Sequence, residues 1–393
     1  MTGKREIVVS GMRPTGRLHL GNYWGALKNW IALSEAHACY FFVADWHMLT
    51  TGYEDTSKLK ENSREMVLDW LAAGLDPKKC VIFKQSDVPE HAELALMLGM
   101  VTPISILENN PTWKEQIQEL AKTKLTKAVE EKSKSIKKAH PSLADDTDEK
   151  FVDVAYEALS ANANIAEQME KQFQETGGYE LRTHGFMGYP ILQAADILVY
   201  GGTRVPVGQD QLPHLELSRE IARRFNNVFG PVLAEPQPLL TPTPKIPGLD
   251  GRKMSKSYDN AINLNETEES LKRKVMAAYT DPTKIRADSP GHPEPCPENP
   301  PGCSVFALHK LYADKAFVAR RGEECRAGKI GCVACKKDLL SEMEPAYADF
   351  RRSREALETQ PLFVDRILSE GAERARAVAQ NTMVKVRRAM RIA

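Results

Sequence analysis

Three short apolar runs separated by helix-length segments fill the first hundred residues, and no other feature restricts the fold as much. Residues 6–10, 39–44 and 80–84 have the length and the β-branched or aromatic content of strands. Residues 22–36 and 57–73 lie between them and read as helices, with a third helix at 88–98. This alternation predicts an α/β fold. Parallel neighbours need a crossover long enough to hold a helix, so the sheet should be parallel and helix-covered.

The texture then changes. Residues 112–138 are rich in Lys, Glu and Gln and look helical. An acidic cluster (Asp145, Asp146, Asp148, Glu149) breaks the pattern, and 151–173 resumes it. The first style returns at 183, with a strand at 204–207, a helix at 210–225, a Pro-rich connector at 231–247 and a loop at 248–257. From 266 onward only helices are expected, interrupted by a Pro-rich loop at 289–302 and a cysteine-rich region. The last helix, 361–392, is Arg-rich. Four parts follow: a Rossmann-like sheet domain begun at 1–110, a helical insertion at 111–182, the rest of the sheet domain at 183–265, and an all-α domain at 266–393.

Composition narrows the partners. Lys plus Arg and Asp plus Glu each number 53, so the formal charge is zero. A nucleic acid would have to be held by local basic patches. No apolar run approaches the roughly 20 residues of a membrane span, and the run at 7–9 is too short for a signal peptide, so a cytoplasmic location is expected. Of seven cysteines, Cys39 and Cys80 lie in strand-like runs and read as buried thiols. The other five fall between 296 and 335, a clustering that favours metal over disulfides in a cytosolic chain.

Two loops carry the chemistry. The turn after the first strand ends in His19-Leu20-Gly21-Asn22 at a helix start. Strand, Gly-rich turn and helix together aim backbone N–H groups and a helix dipole at a phosphate. A histidine there can donate to phosphate oxygens, and the glycine lets a flat base approach; the plain alternative is an N-capping turn with an incidental histidine. The second loop, Gly251 to Ser257, holds Lys253 and Lys256 three residues apart. Positive charge on a closing loop suits a departing pyrophosphate, while the plain alternative is a solvated basic turn.

The pairing of His-x-Gly-Asn with Lys-Met-Ser-Lys-Ser resembles the class I aminoacyl-tRNA synthetases. Ala194 to Leu198, Val205 to Gln211 and Leu215 to Phe225 are similar to the tryptophan-specific members of that family. The likeness is close over 1–110 and 183–280. It implies a ligase that activates L-tryptophan with Mg-ATP and passes it to the terminal adenosine of tRNA(Trp), at the 2′-hydroxyl. It also implies a homodimer, a catalytic sheet domain and an anticodon-binding C-terminal domain. By the same likeness Asp196 accepts the indole N–H, and His47, Tyr189, Gln193 and Gln211 complete the tryptophan site. Arg13, Thr15, His19, Gly21, Asn22, Lys114, Gly208, Asp210, Lys253, Met254, Ser255 and Lys256 would hold ATP, with His19, Asn22, Lys253 and Lys256 catalytic. Arg13 stands where the family usually has an amide side chain.

Cys303, Cys325, Cys332 and Cys335 end in a chelating Cys-x-x-Cys pair. Four thiolates suit a [4Fe–4S] cluster or tetrahedral zinc. Some bacterial members of the resembled family carry the cluster, which makes it the first expectation and zinc the alternative. Cys296 competes with Cys303 as the first ligand. Basic residues nearby (Arg320, Arg321, Arg326, Lys329, Lys336, Lys337, Arg351, Arg352, Arg354) suggest a tRNA-facing surface. A second basic run, Lys122 to Lys138, reads as a solvated helix face, with contact to the tRNA acceptor stem as the alternative.

Overall fold

The computed structural model of the chain describes residues 5–108, 183–240 and 246–392, without the side chains of Asp210, Ser257 and Pro361. The insertion at 111–182, with Lys114 and the basic run Lys122 to Lys138, lies outside the described residues.

The sheet has five parallel strands, β1 (Ile7–Met12), β2 (Ala38–Val43), β3 (Cys80–Lys84), β4 (Arg204–Val207) and β5 (Gln237–Leu240), in the order β3-β2-β1-β4-β5. Chain order reverses direction beside β1, so a crevice opens above the carboxyl ends of β1 and β4, where open α/β sheets bind ligands. β5 lies inside the segment read from sequence as a Pro-rich connector. Pro238 hid it, yet an edge strand tolerates a residue that cannot donate to a ladder.

Side chains alternate across the sheet. Val8, Cys39, Phe41, Val43, Cys80 and Ile82 enter one core, while Val9, Phe42, Val81 and Phe83 enter the other. Burying one such large side chain stabilises by about 1.5–3 kcal/mol, so both faces demand helical cover. The cover comprises α1 (Lys28–Ala36), α2 (Asp45–Gly52), α3 (Leu59–Ala72), α4 (Glu90–Val101), α5 (Ile104–Glu108), α6 (His184–Leu198) and α7 (Leu212–Phe229). The helix expected at 22–36 starts at Leu20 and loosens into a π-turn at Tyr23–Leu27 before α1.

Beyond the sheet the chain is helical: α8 (Glu268–Ala277), α9 (Ser304–Tyr312), α10 (Lys315–Arg326), α11 (Cys332–Glu358) and α12 (Pro361–Ala389). α12 returns to close the exposed edge at β3. A Cβ on Gly371 would lie 1.8 Å from the Ile82 carbonyl oxygen, so only glycine permits that approach. Arg387 pairs with Glu93, and Arg376 with Glu90 at 3.1 Å, clamping α12 to α4. Among the described residues no helix is long and apolar enough to cross a membrane.

Candidate active site

A cleft of about 1990 Å³ opens at the crevice. It brings together Arg13, His19, Gly21 and Asn22 from the first loop, His47 from α2, and Tyr189, Gln193 and Asp196 from α6. Gly208, Gln211, Lys253 and Met254 also line it. Thr15, Ser255 and Lys256 are not among the lining residues. Asp210 lies on the short turn Gln209–Gln211.

The α6 residues meet because of helical spacing: Tyr189, Gln193 and Asp196 lie four and three residues apart, which puts them on one face. Asp196 is 2% exposed. Its Oδ1 accepts from Gln85 Nε2 at 2.8 Å and from His91 Nδ1 at 2.6 Å, and its Oδ2 accepts from His47 Nε2 at 2.8 Å. His91 Nε2 in turn meets the Tyr200 hydroxyl at 2.6 Å. Burial by itself would raise the Asp196 carboxyl. The His47 and His91 hydrogen bonds outweigh it and hold the group below its ordinary value, so it is an anion at neutral pH. Tyr189 stands edge-on to His47, with ring centres 6.5 Å apart, and beside Phe186 and His214. The result is an aromatic slot with a charged floor.

The family resemblance gives Asp196 the indole N–H to accept. Three N–H groups already occupy it, leaving about one of its four lone-pair positions. Gln85 and His91 were missed. A histidine among apolar helix residues reads as core, and its partner lies 105 positions away.

The phosphate side is built differently. His19 caps the turn at Leu20–Asn22: its Nδ1 accepts from Gly21 N at 3.0 Å, and Asn22 Oδ1 accepts from His19 N at 3.1 Å. The capping reading is therefore correct as local structure. It also fixes the tautomer, because an Nδ1 that accepts leaves the proton on Nε2. Burial first, then the Lys256 charge, push the imidazole down to about 4, so Nε2–H is a donor on an uncharged ring. A Cβ on Gly21 would come within 2.7 Å of the His19 ring, which explains the glycine.

The two loops touch. Leu20 N donates to Ile262 O and Leu264 N to Leu18 O, both at 2.9 Å, so the segment after Lys-Met-Ser-Lys-Ser pairs with the first loop. Lys256 Nζ reaches the Thr15 carbonyl at 2.7 Å. Burial lowers that ammonium, and Asp69 counteracts it. Lys253 is exposed at the cleft. Arg13 donates to Thr51 Oγ1 at 2.5 Å.

Four cysteines gather at helix ends: Cys303 before α9, Cys325 in the last turn of α10, and Cys332 and Cys335 in the first turn of α11. Burial raises Cys303 to about 11 and Cys335 to about 12; Cys325 and Cys332 raise Cys303 further, and Cys303, Cys325 and Cys332 raise Cys335. Cys296 stands instead with His292 and Glu298, their donor atoms within 4.8 Å of one another. Although remote in sequence, the cysteine region abuts the catalytic loop. Cys303 lines the cleft, and Ser304 Oγ donates to Gly248 O at 2.9 Å. Cys39 and Cys80 are buried free thiols facing each other across β2 and β3.

The basic patch expected around these cysteines thins out. Arg321 is buried against Asp338 and Glu324, Lys336 donates to Met276 O, and Arg354 is buried among carboxylates. Of the nine residues, Arg320, Arg326, Lys329, Lys337 and Arg352 stay exposed, and Arg351 is half-buried.

The model for class I tRNA synthetases of the W and Y type matches residues 1–134 and 157–348. The chain belongs to that family. A tryptophan–tRNA ligase of Aquifex aeolicus is 48% identical, covering 98% of this chain and 99% of its own. That of Thermotoga maritima is 42% identical, with the same coverage. The fold is similar to the crystal structure of the Campylobacter jejuni tryptophanyl-tRNA synthetase complexed with ADP and tryptophan, with a TM-score of 0.72, 28% identity and 98% of this chain covered. The activity is that of a tryptophan–tRNA ligase. Tryptophan, ATP and tRNA(Trp) are the substrates this implies, with Mg²⁺ expected alongside ATP.

Proposed function

We propose that this chain chooses tryptophan at Asp196 and activates it between the two loops. The observation that carries the reading is the buried Asp196 anion at the end of an aromatic slot, with one acceptor position left on Oδ2. An indole N–H fills that position, while an amino acid without it leaves a buried anion incompletely paired. Tyr189, Gln193, Gln211 and His47 line the same slot and hold the rest of the amino acid.

The chemistry needs no protein base, because the tryptophan carboxylate is ionised at neutral pH. Its oxygen bonds to the α-phosphorus of Mg-ATP, the bond to the bridging oxygen breaks, and pyrophosphate leaves with the electron pair. His19 Nε2–H donates to a phosphate oxygen. Lys253 and Lys256 neutralise the leaving charge, and Asn22 and Gly21 set the turn. Arg13, Thr15, Gly208, Asp210, Met254, Ser255 and Lys114 complete the ATP site. The terminal ribose hydroxyl of tRNA then attacks the mixed anhydride and releases AMP.

A [4Fe–4S] cluster is the group we assign to Cys303, Cys325, Cys332 and Cys335, on their Cys-x-x-Cys spacing. They stand at three helix ends, near enough for Cys303 and Cys335 to be raised by other cysteines of the set, but no three of their sulfurs lie within 4.8 Å of one another. Such a cluster would supply a structural brace and a charged point beside the α11 N-terminus; zinc is the alternative. Residues 266–393 are the anticodon-binding part, and the chain works in the cytoplasm. A homodimer is supported by exposed Leu96 and Met100, one turn apart on α4, with exposed Ile104 at the start of α5.

Tryptophan-dependent ATP–pyrophosphate exchange tests the activation reading. Wild-type exchange that collapses in Asp196→Asn and His19→Asn supports it, and exchange unaffected by either change overturns it. Iron and zinc analysis with a visible spectrum of anaerobically purified protein tests the metal. Colourless, iron-free protein whose tRNA affinity survives Cys332→Ser would overturn the cluster.

A further inference from the structure

Arg354 lies on α11, yet its guanidinium ends beneath the ATP loop. It is 3% exposed and makes four hydrogen bonds. Nε donates to Glu358 at 2.8 Å, Nη2 to Glu65 Oε2 at 2.7 Å, and Nη1 to the Glu65 carbonyl at 3.2 Å and to Asp69 Oδ1. Asp69, wholly buried on α3, accepts the Leu18 N–H on its other oxygen at 2.6 Å. Glu65 Oε2 also takes Arg17 Nε at 2.7 Å. Residues 17 and 18, immediately before His19, are thus held by two carboxylates that share one guanidinium.

This arrangement is costly for mere adhesion. Burying an arginine and an aspartate repays its desolvation only when every donor and acceptor is used, and a hydrophobic contact would join the helices as well. What the ion pair adds is direction, since a fork of fixed geometry transmits its place to a backbone N–H. α11 is a 27-residue helix beginning at Cys332, and Arg354 stands 22 residues further on, about 33 Å along the helix from the cysteine group.

We propose that Arg354 is a positioning residue for the ATP loop: α11, through Arg354 and Asp69, sets where Leu18 and therefore His19 stand. The inference rests on the reading that His19 serves ATP. Misplacement by an ångström at a reacting centre costs as much as a hundredfold, so a small shift of this link is felt in turnover. It also gives the C-terminal helices, which bear the cysteine group, a route to the adenylation site through one helix and two hydrogen bonds.

The test is pyrophosphate exchange with Arg354→Met, Arg354→Lys, Asp69→Asn, the double variant Arg354→Met/Asp69→Asn, and His19→Asn, alongside tryptophan binding by equilibrium dialysis. Arg354→Met is expected to lower kcat/KM for ATP roughly tenfold while tryptophan affinity stays within twofold. The lysine variant should recover part of the loss, and the double variant should be no worse than the worse single one. ATP kinetics unchanged in Arg354→Met, or an equal loss of ATP and tryptophan binding, overturns the proposal. If Arg354→Met does not fold, Arg354→Lys and Asp69→Asn decide by the same split. His19→Asn separates the two levels: unchanged ATP kinetics there sink the His19 reading, whereas a loss there with a silent Arg354→Met sinks only this one.

Discussion

The two halves of the cleft are made of opposite materials. The amino-acid half is a closed network in which Gln85, His91, His47 and Tyr200 fix one buried carboxylate before any ligand arrives. The nucleotide half is mostly backbone and long cations. His19 is held by a two-residue cap, Lys253 is exposed, and Lys256 rests on a carbonyl oxygen that a phosphate can replace. Selection by an apolar slot with a polar anchor needs rigidity, because the penalty on a wrong substrate exists only if the anchor cannot relax. Transition-state charge stabilisation needs cations that engage late, so a loop is adequate there.

Experiments can break this contrast. The largest effect should follow loss of the anchor: Asp196→Asn is expected to lower kcat/KM for tryptophan about a thousandfold in pyrophosphate exchange, since several buried donors lose a charged acceptor. A change below fivefold would show that the network is only structural. Next, Lys256→Met should lower kcat about a hundredfold with KM for tryptophan nearly constant, the mark of a group that acts in the transition state. A rise in the tryptophan KM instead would merge the two halves. A smaller effect, about tenfold on kcat/KM for tryptophan, is expected for His91→Gln, which keeps one donor to Asp196 but loses the bridge to Tyr200. Steady-state kinetics with ATP held saturating distinguishes these variants.

The smallest effect is in stability. Burial raises the Asp69 carboxyl to about 6 despite Arg354 and the Leu18 N–H. Its folded value lies above the unfolded one, so the fold binds the extra proton. The cost of keeping Asp69 ionised is present in full above pH 6 and is relieved as pH falls toward 4. Arg354, Glu65, Lys256, Arg17 and Glu358 are the charged groups around it. Urea unfolding of wild type and Asp69→Asn across that window should show a relative gain for the wild type on acidification, and parallel curves would contradict it.

How much of this could be read from residues follows the same divide. The strands at Ile7–Met12, Ala38–Val43 and Cys80–Lys84 were plain because short, mainly apolar runs between helix-length segments permit little else. The loops were plain because their chemistry is local in sequence. The supporting shell was not. Gln85, His91 and Arg354 find their partners 111, 105 and 285 positions away. Arg354 read as part of a basic surface because nothing in its own segment announces Asp69. β5 was lost to its proline, and the gathering of four thiols beside the catalytic loop depends on how α9, α10 and α11 pack.

The most direct test of the central claim, that the Asp196 network chooses the amino acid, is the ratio of kcat/KM for tryptophan to that for phenylalanine, which has no donor for Asp196, in pyrophosphate exchange by the wild-type protein. A ratio of at least about a thousand is predicted, as for sites whose buried acceptor must be matched. A ratio near one, or no exchange with tryptophan, would contradict the account.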